Sequence, residues 1–155
     1  MASSSSTHRA PSITLLLSLL VVVLLLLLVV ASPRGAAAAP NTEALSVLCN
    51  GASYGAGDPF AASLAYVLSE LVSATPTARR PGGGGGGRDF YDISPYPTAF
   101  AYGHASCRPA LTAEDCAACL RSAVSQMGAA CGHSVGARAV LVDCSVRYEQ
   151  YAFVD

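Results

Sequence analysis

A chain of 155 residues with a formal charge of −1 and 12% charged residues has room for one domain of ordinary size. Its nine cationic residues are all arginines, scattered singly apart from one adjacent pair, so it lacks the basic clusters that nucleic acid or an anionic membrane surface would need. The apolar fraction of 52% is high, and most of the excess lies in one run from Ile13 to Ala31.

That run, interrupted only by Thr14 and Ser18, reads as the apolar centre of a secretory signal peptide over residues 1–39. Arg9 supplies the positive start, and the small residues Ala36–Ala39 supply a cleavage site at about Ala38. An uncleaved anchor is the alternative, because nineteen residues of this kind can reach across a bilayer. Removal of the leader leaves one domain, residues 40–155, in which seven arginines face ten acids for a net charge of −3. All six cysteines lie there: Cys49, Cys107, Cys116, Cys119, Cys131 and Cys144. An even count behind a leader implies three disulfides, and spacing alone does not choose among the fifteen pairings.

In chain order, Ala44–Leu48 is a short strand ahead of Cys49 and Asn50, and Gly51, Gly55, Gly57 and Pro59 mark a loop. A helix is predicted from about Pro59 to Ser73, with Asp58 as N-cap and Pro59 at the first helical position. Phe60, Leu64, Val67, Leu68, Leu71 and Val72 recur at helical spacing and form its core face. Residues 79–88, with six consecutive glycines at Gly82–Gly87, predict a flexible surface loop. It is not a phosphate loop, since no Lys-Ser/Thr follows it. Phe90–Ile93 and Thr98–Ser106 read as strands around a turn at Pro95 and Pro97. A second helix opens at Thr112-Ala-Glu-Asp115, a capping-box-like start with Asp in place of Glu or Gln. Cys116, Cys119, Leu120, Ala123, Val124 and Met127 make its buried stripe. After a loop at Gly132–Gly136, the chain alternates from Ala137 to Tyr151. Val140, Val142, Cys144, Val146 and Tyr148 fall on one side and Asp143, Ser145, Arg147 and Glu149 on the other. That pattern is a half-buried strand or a pair of strands. Two helices against an antiparallel sheet make an α+β layer.

The sharpest local feature is Cys107-x8-Cys116-x2-Cys119. A zinc site would need two more ligands, from Cys131, His133 or His104, and a helical CxxC is unusual for one. A redox dithiol would need a surrounding βαβ pattern, which is missing. A structural disulfide framework suits the oxidising compartment better. His104 and His133 have no nucleophile at recognisable spacing, and Ser134 and Ser145 lie in no catalytic motif. No catalytic constellation, metal site or cofactor site is read from the sequence.

The same cysteine spacing carries a resemblance. It is joined by Cys49-Asn50, Ala101-Tyr102-Gly103, Cys116-Ala-Ala-Cys119-Leu120, Gly136-Ala137-Arg138, Leu141-Val142-Asp143-Cys144 and Tyr148-Glu149-Gln150. Over nearly all of residues 42–153 the chain resembles the plant ginkbilobin-homologous, or stress-antifungal, domain. The resemblance implies two helices packed on a five-stranded antiparallel β-sheet, with Cys49 bonded to Cys131, Cys107 to Cys116 and Cys119 to Cys144. It also implies a mannose-binding site at Asn50, Arg138 and Glu149. Sugar hydroxyls both donate and accept; Arg donates only, Glu accepts only and Asn does both, so the set is chemically apt. Without the resemblance, Arg138 and Glu149 read as solvated strand-end charges and Asn50 as a turn residue. In one unbroken strand Arg138 and Glu149 would stand ~36 Å apart on opposite faces, so a turn must fall between them.

The function implied is that of a secreted, apoplastic, non-enzymatic antifungal protein that binds mannose or mannan-type cell-wall glycans. The alternative is an extracellular interaction module that pairs with a receptor ectodomain or a copy of itself. Neither nucleic acid nor, once the leader is cleaved, a membrane is expected as a partner.

Overall fold

The computed structural model describes residues 13–30, 39–79 and 87–155. The chain divides into two units, Met1–Ala38 and Ala39–Asp155. The first contains helix α1, Ile13–Val30, whose 18 residues rise about 27 Å. Among the described residues no helix is long and apolar enough to cross a membrane. This helix makes three described helices where the domain resemblance implied two. The cleavage site expected at about Ala38 falls in residues 31–38, which lie outside the described residues.

The second unit is an antiparallel sheet with two helices against it. Its strands are β1 (Ala44–Cys49), β2 (Arg88–Ile93), β3 (Tyr102–Cys107), β4 (Ala137–Leu141) and β5 (Cys144–Glu149), in the spatial order β1-β4-β5-β3-β2. All four pairings are antiparallel. Helix α2 (Phe60–Ala74) lies on the β2–β3 side and helix α3 (Ala113–Cys131) on the β1–β4–β5 side.

Both helix starts follow from their caps. Pro59 already has helical angles (φ −60°, ψ −19°), and the Asp58 carboxylate accepts the Phe60 N–H at 2.9 Å. At α3 the Thr112 hydroxyl oxygen accepts the Asp115 N–H at 3.0 Å. The reciprocal arm differs from a capping box. The Asp115 carboxylate accepts the Thr112 hydroxyl at 2.6 Å, because Asp is one methylene shorter than the Glu that reaches back to an N-cap N–H. Gly132, at φ +52°, ends the helix in a conformation that favours glycine.

Phe60, Val67, Leu71, Leu120, Met127, Leu141 and Val146 fill the space between helices and sheet. Three disulfides staple it. Cys107–Cys116 and Cys119–Cys144 are buried, and Cys49–Cys131 joins the end of β1 to the end of α3 across 82 residues. These are the pairs the resemblance implies. Because Cys116 and Cys119 are bonded to different strands and no cysteine is free, the CxxC is neither a dithiol nor a zinc half-site.

Three expectations are corrected. The strand expected from Thr98 begins at Tyr102. Ser94 closes a loop there, its N–H donating to the Ala101 carbonyl and its hydroxyl accepting the Ala101 N–H, so residues 98–101 are used up in the turn. Arg88, expected inside the glycine loop, opens β2; its main chain pairs with Cys107, and its guanidinium donates to the carbonyls of Pro76 and Leu111. Residues 80–86 of that loop lie outside the described residues. Finally, the alternation expected through Val140 and Val142 breaks. In β4 the buried residues are Ala137, Ala139 and Leu141, while Val140 is only half-buried. The strands turn back at Val142–Asp143, and that two-residue connection reverses which parity faces the core.

Gly103 shows how closely α2 approaches the sheet. A Cβ built there would lie 2.3 Å from Val67 Cγ1 and 2.8 Å from Leu71 Cδ1. Gly103→Ala is therefore expected to destabilise the domain by about 1–3 kcal/mol through overpacking. Chemical denaturation beside the wild type measures it, and an unchanged midpoint would show that α2 can shift without cost.

Candidate functional site

The helices cover the face of the sheet that carries Gly103, Ala105, Cys107, Cys144, Val146 and Tyr148. Neither α2 nor α3 packs on the other face, and strand periodicity assigns it Tyr102, His104 and Ser106 of β3, Ser145, Arg147 and Glu149 of β5, and Arg138 and Val140 of β4. The register arranges these residues in rows across the strands. Arg138 is opposite Arg147, which is opposite His104 and then Tyr91. One step along, Val140, Ser145, Ser106 and Asp89 form a parallel row.

The row on the other side contains two of the three expected sugar-binding residues. Asn50 follows β1 and donates its N–H to the Gly136 carbonyl at 2.7 Å. Gly136 precedes β4 and lies against Glu149: a Cβ on Gly136 would fall 1.9 Å from Glu149 Oε2. The backbone thus runs Asn50, Gly136, Glu149 across three strands, with the side chain between them missing. The turn at Val142–Asp143 brings Arg138 to the same face, diagonal to Glu149 and about 7–8 Å from it between Cα atoms. No hydrogen bond joins any two of the three.

Their availability differs. The exposed guanidinium of Arg138 has no hydrogen-bond or ion-pair partner among the described residues. The Asn50 side-chain oxygen accepts the Ala52 N–H at 3.1 Å, an Asx turn, which leaves its amide nitrogen unused. Glu149 is 8% exposed. Its Oε1 accepts from Arg147 Nε and Nη2 at 3.3 and 3.1 Å, while the buried Oε2 has no partner among the described residues.

Ser134 holds this end of the face together. Its hydroxyl donates toward the carbonyls of Asn50 and Gly136, and its own carbonyl accepts the Tyr148 hydroxyl at 3.0 Å. Burial pushes the Tyr148 phenol up to about 12, so it stays a donor across the physiological range. The Cys49–Cys131 bridge and the hydrogen bonds Val135 N–H to Ala52 and Tyr54 N–H to His133 tie the two segments that carry Asn50 and Gly136. His133 itself lies against the Tyr54 ring.

The segment after β5 folds back onto the middle row. Phe153 lies under the Arg147 guanidinium at 4.1 Å. Asp155 accepts from Arg147 Nη1 at 2.7 Å and contacts His104 Nδ1 at 3.0 Å, while His104 Nε2 contacts Asp89 at 3.1 Å. His104 is therefore a buried bridge between two carboxylates, stacked on Tyr91. Burial works against charge on Asp155, but the hydrogen bonds from Arg147 and His104 outweigh it and hold its carboxyl below 3.8.

Sequence reasoning missed Gly136, Ser134, Arg147 and Asp155 as parts of this arrangement. Gly136 alone had a signal, standing directly before Ala137-Arg138 in the resemblance. The roles of Arg147 and Asp155 depend on a chain reversal that no local pattern announces.

Comparison with known proteins agrees with the fold. The family model described as salt stress response/antifungal matches residues 48–151. The chain is 37% identical over 125 residues to the antifungal protein ginkbilobin-like protein 1 of Picea glauca, covering 77% of this chain and 80% of that protein. It is 35% identical over 121 residues to the antifungal protein ginkbilobin-2 of Ginkgo biloba, covering 74% and 81%. The crystal structure of the tandem DUF26 ectodomain of the Arabidopsis thaliana cysteine-rich receptor-like protein PDLP5 superposes with a TM-score of 0.60 at 27% identity. That match covers 72% of this chain and 52% of the ectodomain, so the chain spans about half its length.

Two measurements test this geometry. Asp155 has a depressed folded-state pKa, so its contribution to anchoring the segment is complete above 3.8 and is lost as pH falls through the lower folded value. An NMR titration of its side-chain carboxyl is expected to give a midpoint below 3.8, and a midpoint at or above it would mean that the Arg147 contact is not formed in solution. Gly136→Ala forces the Glu149 carboxylate to move. It is expected to lose about 1–3 kcal/mol of stability, read by denaturation, with the domain still folded and oxidised.

Proposed function

We propose that this chain, which belongs to the salt stress response/antifungal family, is a secreted defence protein that binds mannose or mannan-type cell-wall glycans through Asn50, Arg138 and Glu149. The observation that carries the reading is the register. The turn after β4 and the residue gap at Gly136 place one donor-only, one acceptor-only and one mixed side chain at one end of the sheet face opposite α2 and α3. Arg138 and the Asn50 amide have donors to spare, and Glu149 Oε2 has a lone pair to spare. Glu149 Oε2 is buried without a partner among the described residues, so a small turn of the carboxylate toward the face would give it a sugar hydroxyl to accept from. The antifungal names of the Picea and Ginkgo relatives support the biological role.

Recognition of a single sugar by a few hydrogen bonds is weak, and a Kd near 1 mM corresponds to about −4 kcal/mol. Growth inhibition would then depend on many sites engaged along a polymer. The apolar leader, the three disulfides and the relatives support an extracellular location, in the apoplast after cleavage near residue 39. The site residues include no nucleophile paired with a base, which favours a binding protein over an enzyme. The likeness to a receptor-like ectodomain favours a second reading, in which the domain recognises another extracellular protein.

Calorimetric titration of the oxidised domain with mannose and with yeast mannan, beside Arg138→Ala, decides between them. Arg138 is exposed and unpaired, so the variant should fold normally while affinity falls at least about tenfold, as expected for losing charged hydrogen bonds. Correctly folded wild type that binds neither sugar would point to the protein-recognition reading.

A further inference from the structure

Arg138 belongs to a second feature of the same face. A groove of about 430 Å³ opens on the side of Arg138 away from Asn50 and Glu149, within the usual size range of small-ligand sites. It is lined by Arg138, Ser106, Ser145, Arg108, Asp143 and Asp155, among others. Ser106 and Ser145 are opposite each other in the β3–β5 register, with their hydroxyl oxygens 2.9 Å apart. One hydroxyl hydrogen is used between them, so the pair retains one O–H donor and spare lone pairs. Arg108 and Asp143 form only a loose pair at 3.8 Å, with the Arg108 side chain 65% exposed. Donors and acceptors therefore both line the groove. Arg88, Arg108 and Arg138 balance Asp89, Asp143 and Asp155 across the lining, so it favours no net charge, and a neutral polyol finds partners for both roles of each hydroxyl.

Arg138 stands in the row between the two sets. Glu149 and Ser145 are four residues apart on β5, about 13 Å, and Arg138 pairs with Arg147 midway between them. That span is longer than one pyranose ring. We infer that the groove is a second carbohydrate subsite, which shares Arg138 with the first, so that this face binds an oligosaccharide laid along β4 past exposed Arg138, beside the Phe153–Asp155 segment that covers Arg147, and not a lone monosaccharide. The inference rests on the sugar-binding reading proposed above and adds the length of the ligand and the residues that read its second unit.

The test compares mannose with linear α-mannotriose on the full oxidised domain, in the wild type and in the double variant Ser106→Ala, Ser145→Ala. Both serines are half-buried on the face opposite α2 and α3, so their truncation leaves the core untouched, and an unchanged denaturation midpoint confirms the fold. The trisaccharide is expected to bind about tenfold tighter than mannose, as two or three net hydrogen bonds would bring. The double variant should lose that advantage and keep the affinity for mannose. If mannose binds but the trisaccharide is no tighter, or its advantage survives in the double variant, the subsite is overturned and the first site stands. If only the trisaccharide binds, and does so through the serines, the groove is upheld and the three-residue mannose site fails. If neither sugar binds folded protein, both are overturned.

Discussion

Everything in this domain hangs on the attachment of α3 to the two central strands. Cys116 and Cys119 stand one helical turn apart on the buried face of α3, and they bond to Cys107 and Cys144, which are direct cross-strand partners in β3 and β5. Two covalent links from one turn of helix to one rung of the sheet fix the helix's position, its rotation and the register beneath it. A one-residue slip of β5 against β3 would carry Cys144 to the opposite face, out of reach of Cys119. Stability follows as well, since each bridge constrains the unfolded chain, typically by ~2–4 kcal/mol.

With the register fixed, the two faces of the sheet take separate tasks. The helix-covered face carries small and apolar residues, Gly103 most tightly, and lets α2 and α3 close on the strands. The opposite face is freed from packing and carries arginines, acids, hydroxyls and a bridged histidine in rows. Most of these polar side chains cost the fold little because solvent or partners satisfy them, Glu149 Oε2 being an exception that is buried without a partner among the described residues. Arg147 is the organising group there, with Glu149 and Asp155 on its donors and Phe153 beneath it. It orders Glu149 and leaves the neighbouring Arg138 unpaired.

Much of the framework was legible in the chain. The α3 stripe shows as a 3.6-residue period, the caps at Asp58 and Thr112 as short polar residues before it, and the half-buried strands as alternation, because each is a local consequence of backbone geometry. The extent of β3 and the parity of β4 are not legible, because neither is a local property. Residues 98–101 look like strand but are consumed by the Ser94–Ala101 closure, and the reversal at Val142–Asp143 has no glycine or proline to mark it.

By itself the sequence determined that the chain carries a long apolar run, that Cys116 and Cys119 share the buried face of a helix and that two helices lie against strands, since periodicity acts over a few residues. Only the tertiary structure decided that Asn50, Gly136 and Glu149 form one row, that Arg138 stands beside it and opens onto a groove, and that Asp155 closes over His104. Those relations join residues up to 99 positions apart, the separation of Asn50 and Glu149 in the chain, and depend on which strands pair and in what register. Long-range pairing is a property of the folded sheet as a whole, so no window of sequence contains it.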